Sequence, residues 1–513
     1  MGFQIAHLWK TPEVNPISRK ARSVPMLNPV DVYGRVFTFS WLGFMLAFWA
    51  WYTFPPLLTV TIKEDLHLTP AQIANSNIVS LSATFFLRFL TGPLCDLYGP
   101  RRVFAYLILL GCIPIGLAPL VNSATGLYVS RFFIGILGAT FVPCQVWCTG
   151  FFDKNVVGTA NALAGGWGNA GGGITYFIMP AVFDSLVAHQ GMSPSKAWRV
   201  TFIVPLICLI ICGFGMLFLC PDSPMGSWDD QAQIVQKNME AHGISSSGDV
   251  TPIRTPDRSV SDEENNPGEE KDVKVGDHEH SISRNEAMEI ARGEVIVKPT
   301  LREALPITYS PQTFFHVATY ACSFGGELAI NAILSSYFKK NFPHLDQTKA
   351  SNYAAIFGFL NFLNRPLGGV IADILYNKCG RSLWLKKAWI VACGVLTGAL
   401  LIVIGKVNPS EANGGSIGTL VGLIVVMSIF IEAGNGANFA LVPHVHPSAN
   451  GILSGLTGGG GNIGGILFAV VFRFMHGGND YAMGLWVIGI ITIVLNLAVC
   501  WIPPLPKGQI GGH

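Results

Sequence analysis

Residues 81–96, LSATFFLRFLTGPLCD, read as one apolar helix with an arginine, Arg88, near its middle. A guanidinium stays charged at any physiological pH. A permanent cation in an apolar helix needs a reason, and the chain presents the same puzzle twice. Arg88, Gly92 and Asp96 stand four residues apart, and Arg365, Gly369 and Asp373 repeat that spacing in FLNRPLGGVIAD, residues 362–373. Asn75 and Phe85 recur at the same offset as Asn352 and Phe362. A second duplication is longer. GTANALAGGWGNAGG (158–172) aligns with GILSGLTGGGGNIGG (451–465). Gly158, Gly165, Gly166, Gly168, Asn169, Gly171 and Gly172 meet Gly451, Gly458, Gly459, Gly461, Asn462, Gly464 and Gly465. The chain reads as two copies of one unit in the same order.

Composition says what surrounds these motifs. The 513 residues are 50% hydrophobic and 12% charged, with a mean hydropathy of +0.44. A soluble globular domain carries about twice that charge fraction. A membrane span needs about 20 apolar residues. Twelve windows qualify, near 36–58, 72–94, 103–121, 126–149, 159–184 and 198–220, then 313–336, 350–374, 384–405, 416–441, 448–474 and 482–503. The expected fold is an all-α polytopic membrane protein, its twelve transmembrane helices forming two pseudo-symmetric six-helix bundles. The expected division is an N-terminal tail (1–35), a first bundle (36–220), a linker (221–310), a second bundle (311–503) and a C-terminal tail (504–513).

Charge sets the orientation. Arg19, Lys20, Arg22 and Arg35 precede the first window, Arg101 and Arg102 follow the second, and Lys378, Arg381, Lys386 and Lys387 lie between the eighth and ninth. All fall on one side when the spans alternate, and the positive-inside rule makes that side cytoplasmic, with both termini inside. Lys339, Lys340 and Lys349 lie on the opposite side, so this is a bias. About 35 mostly polar residues before the first window are unlike a secretory signal. The net charge of +2 carries no nucleic-acid signal. The 11 cysteines fall mostly within windows, Cys144 and Cys148 among them, and read as small buried hydrophobes.

The linker, with SVSDEENNPGEEKDVKVGDHEHSISRNE, is too polar to fold alone and reads as disordered. Ser259, Ser261, Ser281 and Ser283 are expected substrates for a kinase, and DHEH (277–280) reads as a solvated charge run. Six plus six spans in parallel repeat suggest a transporter working by alternating access.

Arg88 lies eight residues before Asp96, about 12 Å from that end of its helix. Arg365 has the same spacing to Asp373, so pseudo-symmetry brings both near the midplane. Intramembrane charges face a cavity or a partner. One reading pairs each arginine with a buried carboxylate, Glu327 or Glu432. Neither acid has a first-half counterpart, which favours the other reading: an anionic guest held by two guanidinium forks. The glycine segments fail as dinucleotide fingerprints, since no strand precedes them. They fit close helix packing, with Gly165, Gly168, Gly171, Gly172, Gly458, Gly461, Gly464 and Gly465 as contact points. Asn169 and Asn462, buried among them, either bind the guest or bridge helices. Tyr320, Phe324, Glu327 and Asn331 follow at steps of four, three and four, one helical face. Glu327 on that face is either a proton site or an ion-pair partner. Glu432, in FIEAGNGANF, is a second proton-site candidate. Arg131, near the outer start of the fourth window, is expected to snorkel to water. His444 and His446 lack companions, so no metal is expected. No nucleophile–base motif points to an enzyme, and no cofactor is expected.

These residues resemble a known family. GPLCDLYGPRR is similar to the loop signature of the major facilitator superfamily, with Gly92, Asp96, Gly99 and Arg101 or Arg102 in place and Gly369 and Asp373 repeating it. AGGWGNAGGG and TGGGGNIGG look like the paired signatures of its nitrate/nitrite porter family. FVPCQVWCTGFFDKNVVGTAN, YACSFGGELAIN and NGANFALVPHVHP look like the fungal high-affinity members. The resemblance covers all twelve spans. It implies proton-driven uptake of nitrate and nitrite through the plasma membrane, with the lipid bilayer as its surroundings. It assigns substrate contacts to Arg88, Arg365, Asn169, Asn462, Tyr320, Phe324 and the span-one aromatic Phe48. Bacterial members include nitrate/nitrite exchangers, and a nitrate receptor signalling through the linker is the alternative of another class.

Overall fold

The computed structural model describes residues 5–228, 230, 234, 237–238, 306–379, 382–446 and 450–506. The linker serines, the DHEH run and Arg381 lie outside the described residues. Among those described, twelve helices are long and apolar enough to cross a membrane. They are α1 (Val32–Leu58), α2 (Pro70–Tyr98), α3 (Pro100–Leu120), α4 (Ala124–Phe151), α5 (Val156–Gln190), α6 (Pro194–Leu219), α7 (Pro311–Asn341), α8 (Gln347–Tyr376), α9 (Leu383–Val407), α10 (Ile417–Val445), α11 (Ile452–Gly478) and α12 (Tyr481–Val499). Each matches an expected window within several residues. The helices make this a multi-pass membrane protein of two six-helix halves.

Local chemistry sets the helix starts. Thr69 and Gln72 form a reciprocal capping box ahead of Pro70 at the start of α2. Ser310 caps α7 through Thr313 N, and Asp346 caps α8 through Lys349 N. Gly99, at φ +85°, alone separates α2 from α3, a left-handed turn that a side chain would strain.

The halves meet along two seams, α2 on α11 and α5 on α8. At the second, a Cβ on Gly358 would lie 2.2 Å from the Gly173 nitrogen, so only glycine lets these backbones touch. The end away from the termini is latched by hydrogen bonds between the halves. Gln347 Oε1 accepts from Val60 N (3.0 Å) and Thr61 N (2.9 Å), and Arg473 Nε donates to Asn75 Oδ1 (3.0 Å). Thr59 Oγ1 donates to Ser335 Oγ at 3.1 Å.

At the other end, which we call the linker end, the N-terminal segment packs against the bundle. Ala21 N donates to Phe151 O, and Asn15 Nδ2 donates to Asp153 Oδ2 at 3.0 Å. Arg131 departs from expectation. It is buried rather than snorkelling, because α2 offers it Ser76 Oγ at 2.7 Å and Asn77 Oδ1 at 2.5 Å. Most cysteines are buried, whereas Cys379 and Cys500 are exposed.

Candidate functional site

Arg88 and Arg365 come together at the centre, both fully enclosed by protein. Their guanidiniums share the same two rings. Arg88 lies 5.2 Å from the Phe141 centroid and 5.1 Å from that of Phe324. Arg365 lies 5.4 Å and 5.8 Å from the same rings. The two rings stack with centroids 6.2 Å apart. Ring faces attract cations electrostatically, so one aromatic pair, one ring from each half, eases the repulsion between two buried charges.

The arginines differ in their remaining partners. Arg88 Nε and Nη2 donate to Gly138 O at 3.1 and 2.9 Å, and Nη1 donates across the halves to Gly458 O at 2.8 Å. With its amide oxygen turned to the guanidinium, Asn462 accepts from Arg88 Nε at 3.0 Å and Nη1 at 3.2 Å. Arg365 Nη2 donates to Tyr320 Oη at 3.0 Å, while its Nη1 has no hydrogen-bond partner.

The glycine segments do two jobs. Gly171 and Gly464 meet backbone: a Cβ there would lie 2.2 Å from Met45 O and 2.1 Å from Ala321 O. Others make room for side chains. A Cβ on Gly165 would lie 3.1 Å from Arg365 Nε, and one on Gly172 would lie 2.6 Å from Asn331 Nδ2. Gly458 stands under Arg88, Gly461 under Tyr320 and Phe324, Gly168 against Phe44 and Gly465 against Leu81. Gly165, Asn169 and Gly172 follow at steps of four and three, one face of α5. The amides of both Asn169 and Asn331 are buried with neither polar atom bonded. A strip between the halves therefore carries three sets of unmet buried groups: Arg365 Nη1, Asn169 and Asn331. Each such group costs about 1–3 kcal/mol when left unbonded.

Glu327 and Glu432 form a separate cluster. Asn361 Nδ2 bridges them, at 2.8 Å from Glu327 Oε1 and 3.2 Å from Glu432 Oε1. Asn435 Nδ2 holds Glu327 Oε2 at 2.6 Å, and Asn364 Nδ2 holds Glu432 Oε2 at 2.9 Å. Among the described residues neither acid forms an ion pair with an arginine.

Other expected residues fall outside this centre. Phe48 packs on Phe44, Trp51 and Tyr52, one ring removed from Phe141. Arg101 Nε and Arg102 Nη2 converge on Asp222, at 2.7 and 3.2 Å. Asp373 pairs with Lys386 at 2.7 Å. Gly369 faces Ala162 across the α5–α8 seam, and Gly92 is buried in α2. The Asp96 carbonyl accepts from Trp228 Nε1 at 3.0 Å.

Phe141, Asn361 and Asp222 escaped the sequence reading. Phe141 sits in an apolar run where nothing distinguishes it from a core ring. Asn361 had a usable signal: it lies one turn before Arg365 on the same helix.

The major facilitator superfamily model matches residues 40–379. Elsinochrome transporter 1 of Elsinoe fawcettii is 33% identical over 99% of this chain and 100% of its own length. High affinity nitrate transporter 2.5 of Arabidopsis thaliana is 31% identical over 94% of this chain and 82% of its own. The nitrate/nitrite transporter NrtP of Nostoc punctiforme is 26% identical over 93% of both.

Proposed function

The chain belongs to the nitrate/nitrite porter family of the major facilitator superfamily, and on that premise we propose that it imports nitrate, and nitrite with it, by alternating access. Its kin are transporters, and the chain is a transporter rather than an enzyme. The finer reading is high-affinity, proton-coupled uptake across the plasma membrane, with both termini and the linker in the cytoplasm. The lysine and arginine bias of the linker-end loops supports that orientation.

One relative is named for elsinochrome and others for nitrate, so the site must discriminate. The carrying observation is the strip of unmet groups beside Arg365. Its free Nη1 and the amides of Asn169 and Asn331 offer N–H donors in a wholly buried space, with Arg88 supplying a second positive charge. That set suits a small planar oxyanion, which accepts hydrogen bonds at every edge. Phe141 and Phe324 wall the space and exclude water, which strengthens each charge interaction. Tyr320 steers Arg365, and Asn462 steers Arg88.

Charge balance supports a proton as the second cargo. Two arginines and two ionised glutamates leave the closed centre neutral. A nitrate adds one negative charge, and a proton on the Glu327–Glu432 pair restores neutrality. A neutral loaded centre crosses its closed state at the lowest electrostatic cost. The latched far end and the two seams supply the rocking surfaces.

The test is nitrate uptake into proteoliposomes holding the purified chain. Uptake under an acid-outside gradient, with no anion inside, is the expected result. Uptake that requires internal nitrite makes the protein an exchanger instead.

A further inference from the structure

A polar seam runs from the acid pair towards the linker end, apart from the arginine site. On α7, Glu327, Ser323, Thr319 and His316 follow at steps of four, four and three, one helix face. They span about 16 Å of helix rise. On α10, Glu432, Asn435 and Asn438 follow at steps of three, and every one of these side chains is buried. Asn438 ties the lower part together. Its Nδ2 donates to Thr319 Oγ1 at 2.8 Å, and its Oδ1 accepts from His316 Nδ1 at 2.7 Å. That bond selects the Nδ1–H tautomer and leaves a lone pair on Nε2. Beyond the helix end, His446 Nε2 lies 3.3 Å from Ser310 Oγ. Burial lowers the His446 pKa below its ordinary value, so a proton reaching this imidazole is readily passed on.

Beside Ser323 and Thr319, which stand between Glu327 and His316 along α7, lies a cavity of about 10 Å³ whose polar lining is Thr319, Ser323, Thr397, Thr492 and Asn496. Thr397 Oγ1, Thr492 Oγ1 and Asn496 Oδ1 are buried without a hydrogen-bond partner in the protein. One water needs roughly 10–15 Å³ and two to four polar partners. Gly394 keeps the space open, since a Cβ there would lie 2.2 Å from Asn496 Oδ1.

We propose that this seam is a proton path separate from the anion path, running from the acid pair through Ser323, a water in the cavity, Thr319 and His316 to the cytoplasm at His446. The inference rests on the proton-coupled reading above. At each hop one O–H or N–H bond breaks and one forms: His316 takes up and gives up the proton at Nε2 while its Nδ1–H stays on Asn438 Oδ1, and the hydroxyls and the water turn back before the next transfer. Asn438 is a positioning residue. The titratable groups at this end of the seam are His446, which faces His316, and Lys386, Lys387 and His444, with His444 Nε2 3.5 Å from Lys386 Nζ. Lys387 Nζ stands 5.2 Å from the Phe315 ring, and Lys386 is held by Asp373.

Two variants of the full chain test this in proteoliposomes: His316→Gln, and Thr397→Val with Thr492→Val. Two rates are read. One is pH-driven nitrate uptake with internal acidification. The other is nitrate–nitrate exchange at equal pH, in which the carrier returns loaded and releases no proton. Net uptake falling at least tenfold, with exchange within twofold of the parent, supports the path. Unchanged net uptake in both variants overturns it. So does exchange falling in step with net uptake in the valine variant, which assigns the cavity a packing role. A parent protein that takes up nitrate without acidifying the lumen removes the coupling itself and the path with it. Acidification by parent and variants alike sinks the path alone.

Discussion

Arg88 and Arg365 occupy the same place in the two halves, yet their surroundings differ. Every nitrogen of Arg88 is bonded within the protein, to Gly138 and Gly458 carbonyls. Arg365 Nη2 donates to the Tyr320 hydroxyl, and its buried Nη1 has no partner. The same asymmetry extends outward. Both central carboxylates, with Asn361, Asn364, Asn435 and Asn438, lie in the second half. The repeat sets two cations at the buried centre, one clamped by backbone carbonyls and the other with an open fork. On the proposed function, the anion's open fork and the proton site then both belong to the second half, with Arg88 and Asn169 completing the anion site from the first.

The largest expected effect tests that division directly. Arg365→Lys removes the free, planar donor that lysine cannot replace. A loss of more than about 100-fold in kcat/KM for nitrate is expected, since a charge-assisted bidentate contact is among the strongest available. Arg88→Lys is expected to lose less, about 10-fold, and to lower the Tm, because the Gly138 and Gly458 carbonyls lose their donors. Transport assays on vesicles with matched protein content and a thermal melt decide it. An Arg88 variant as damaging to transport as the Arg365 one, with an unchanged Tm, breaks the comparison.

The acid pair comes next. Asn361 bonds both carboxylates with one nitrogen, so the two acids act as a unit. Glu327→Gln and Glu432→Gln are each expected to abolish pH-driven accumulation while leaving nitrate exchange within about threefold. Matching behaviour of the two sharpens the assignment of the proton to the second half. One variant that still accumulates nitrate against a gradient confines the proton to the other acid.

A smaller effect is expected at the shared rings. Phe141 belongs to the first half and Phe324 to the second, and each lies under both guanidiniums. Phe141→Leu and Phe324→Leu should therefore weaken nitrate affinity alike, by about fivefold, the value of one cation–π contact near 1 kcal/mol. Phe48→Leu, one ring further out, should change affinity by less than about twofold. Uptake at graded nitrate concentrations measures all three.

The sequence made the frame legible for physical reasons. Spans announce themselves by length and hydropathy, and a duplicated arginine in apolar surroundings cannot be incidental. Pseudo-symmetry then brought Arg88 and Arg365 to one level without any coordinates. Partners were harder to read. Phe141 looks like any core ring, and the choice between Phe141 and Phe48 depends on helix rotation, which periodicity leaves open by a residue. The ion-pair alternative for Glu327 failed because Asn361 and Asn435, from two other helices, satisfy it first. Asp222 lies where the sequence turns polar, so nothing marked it as the partner of Arg101 and Arg102.

The smallest expected effect compares the halves at their far end. In the first, Asp65 accepts from Trp198 Nε1 and Arg199 Nη1, both at 2.9 Å. In the second, Glu411 pairs with His344, both side chains about half exposed. Partial burial works to raise the Asp65 pKa, but hydrogen bonds from Trp198, Arg199 and Ser195 outweigh it, and the net value lies below the ordinary carboxylate range. A carboxylate with a depressed pKa stabilises the fold above its unfolded value, and that gain is lost only as pH falls through the folded value. Asp65→Asn is therefore expected to lower the Tm by on the order of 1 °C from pH 7 down to about pH 5. The gap should close below about pH 4. Glu411→Gln, whose partner is solvated, should shift the Tm by less at every pH. A Tm gap for Asp65→Asn that closes already at pH 6 would place the carboxylate outside that ion pair and leave the two far ends equivalent.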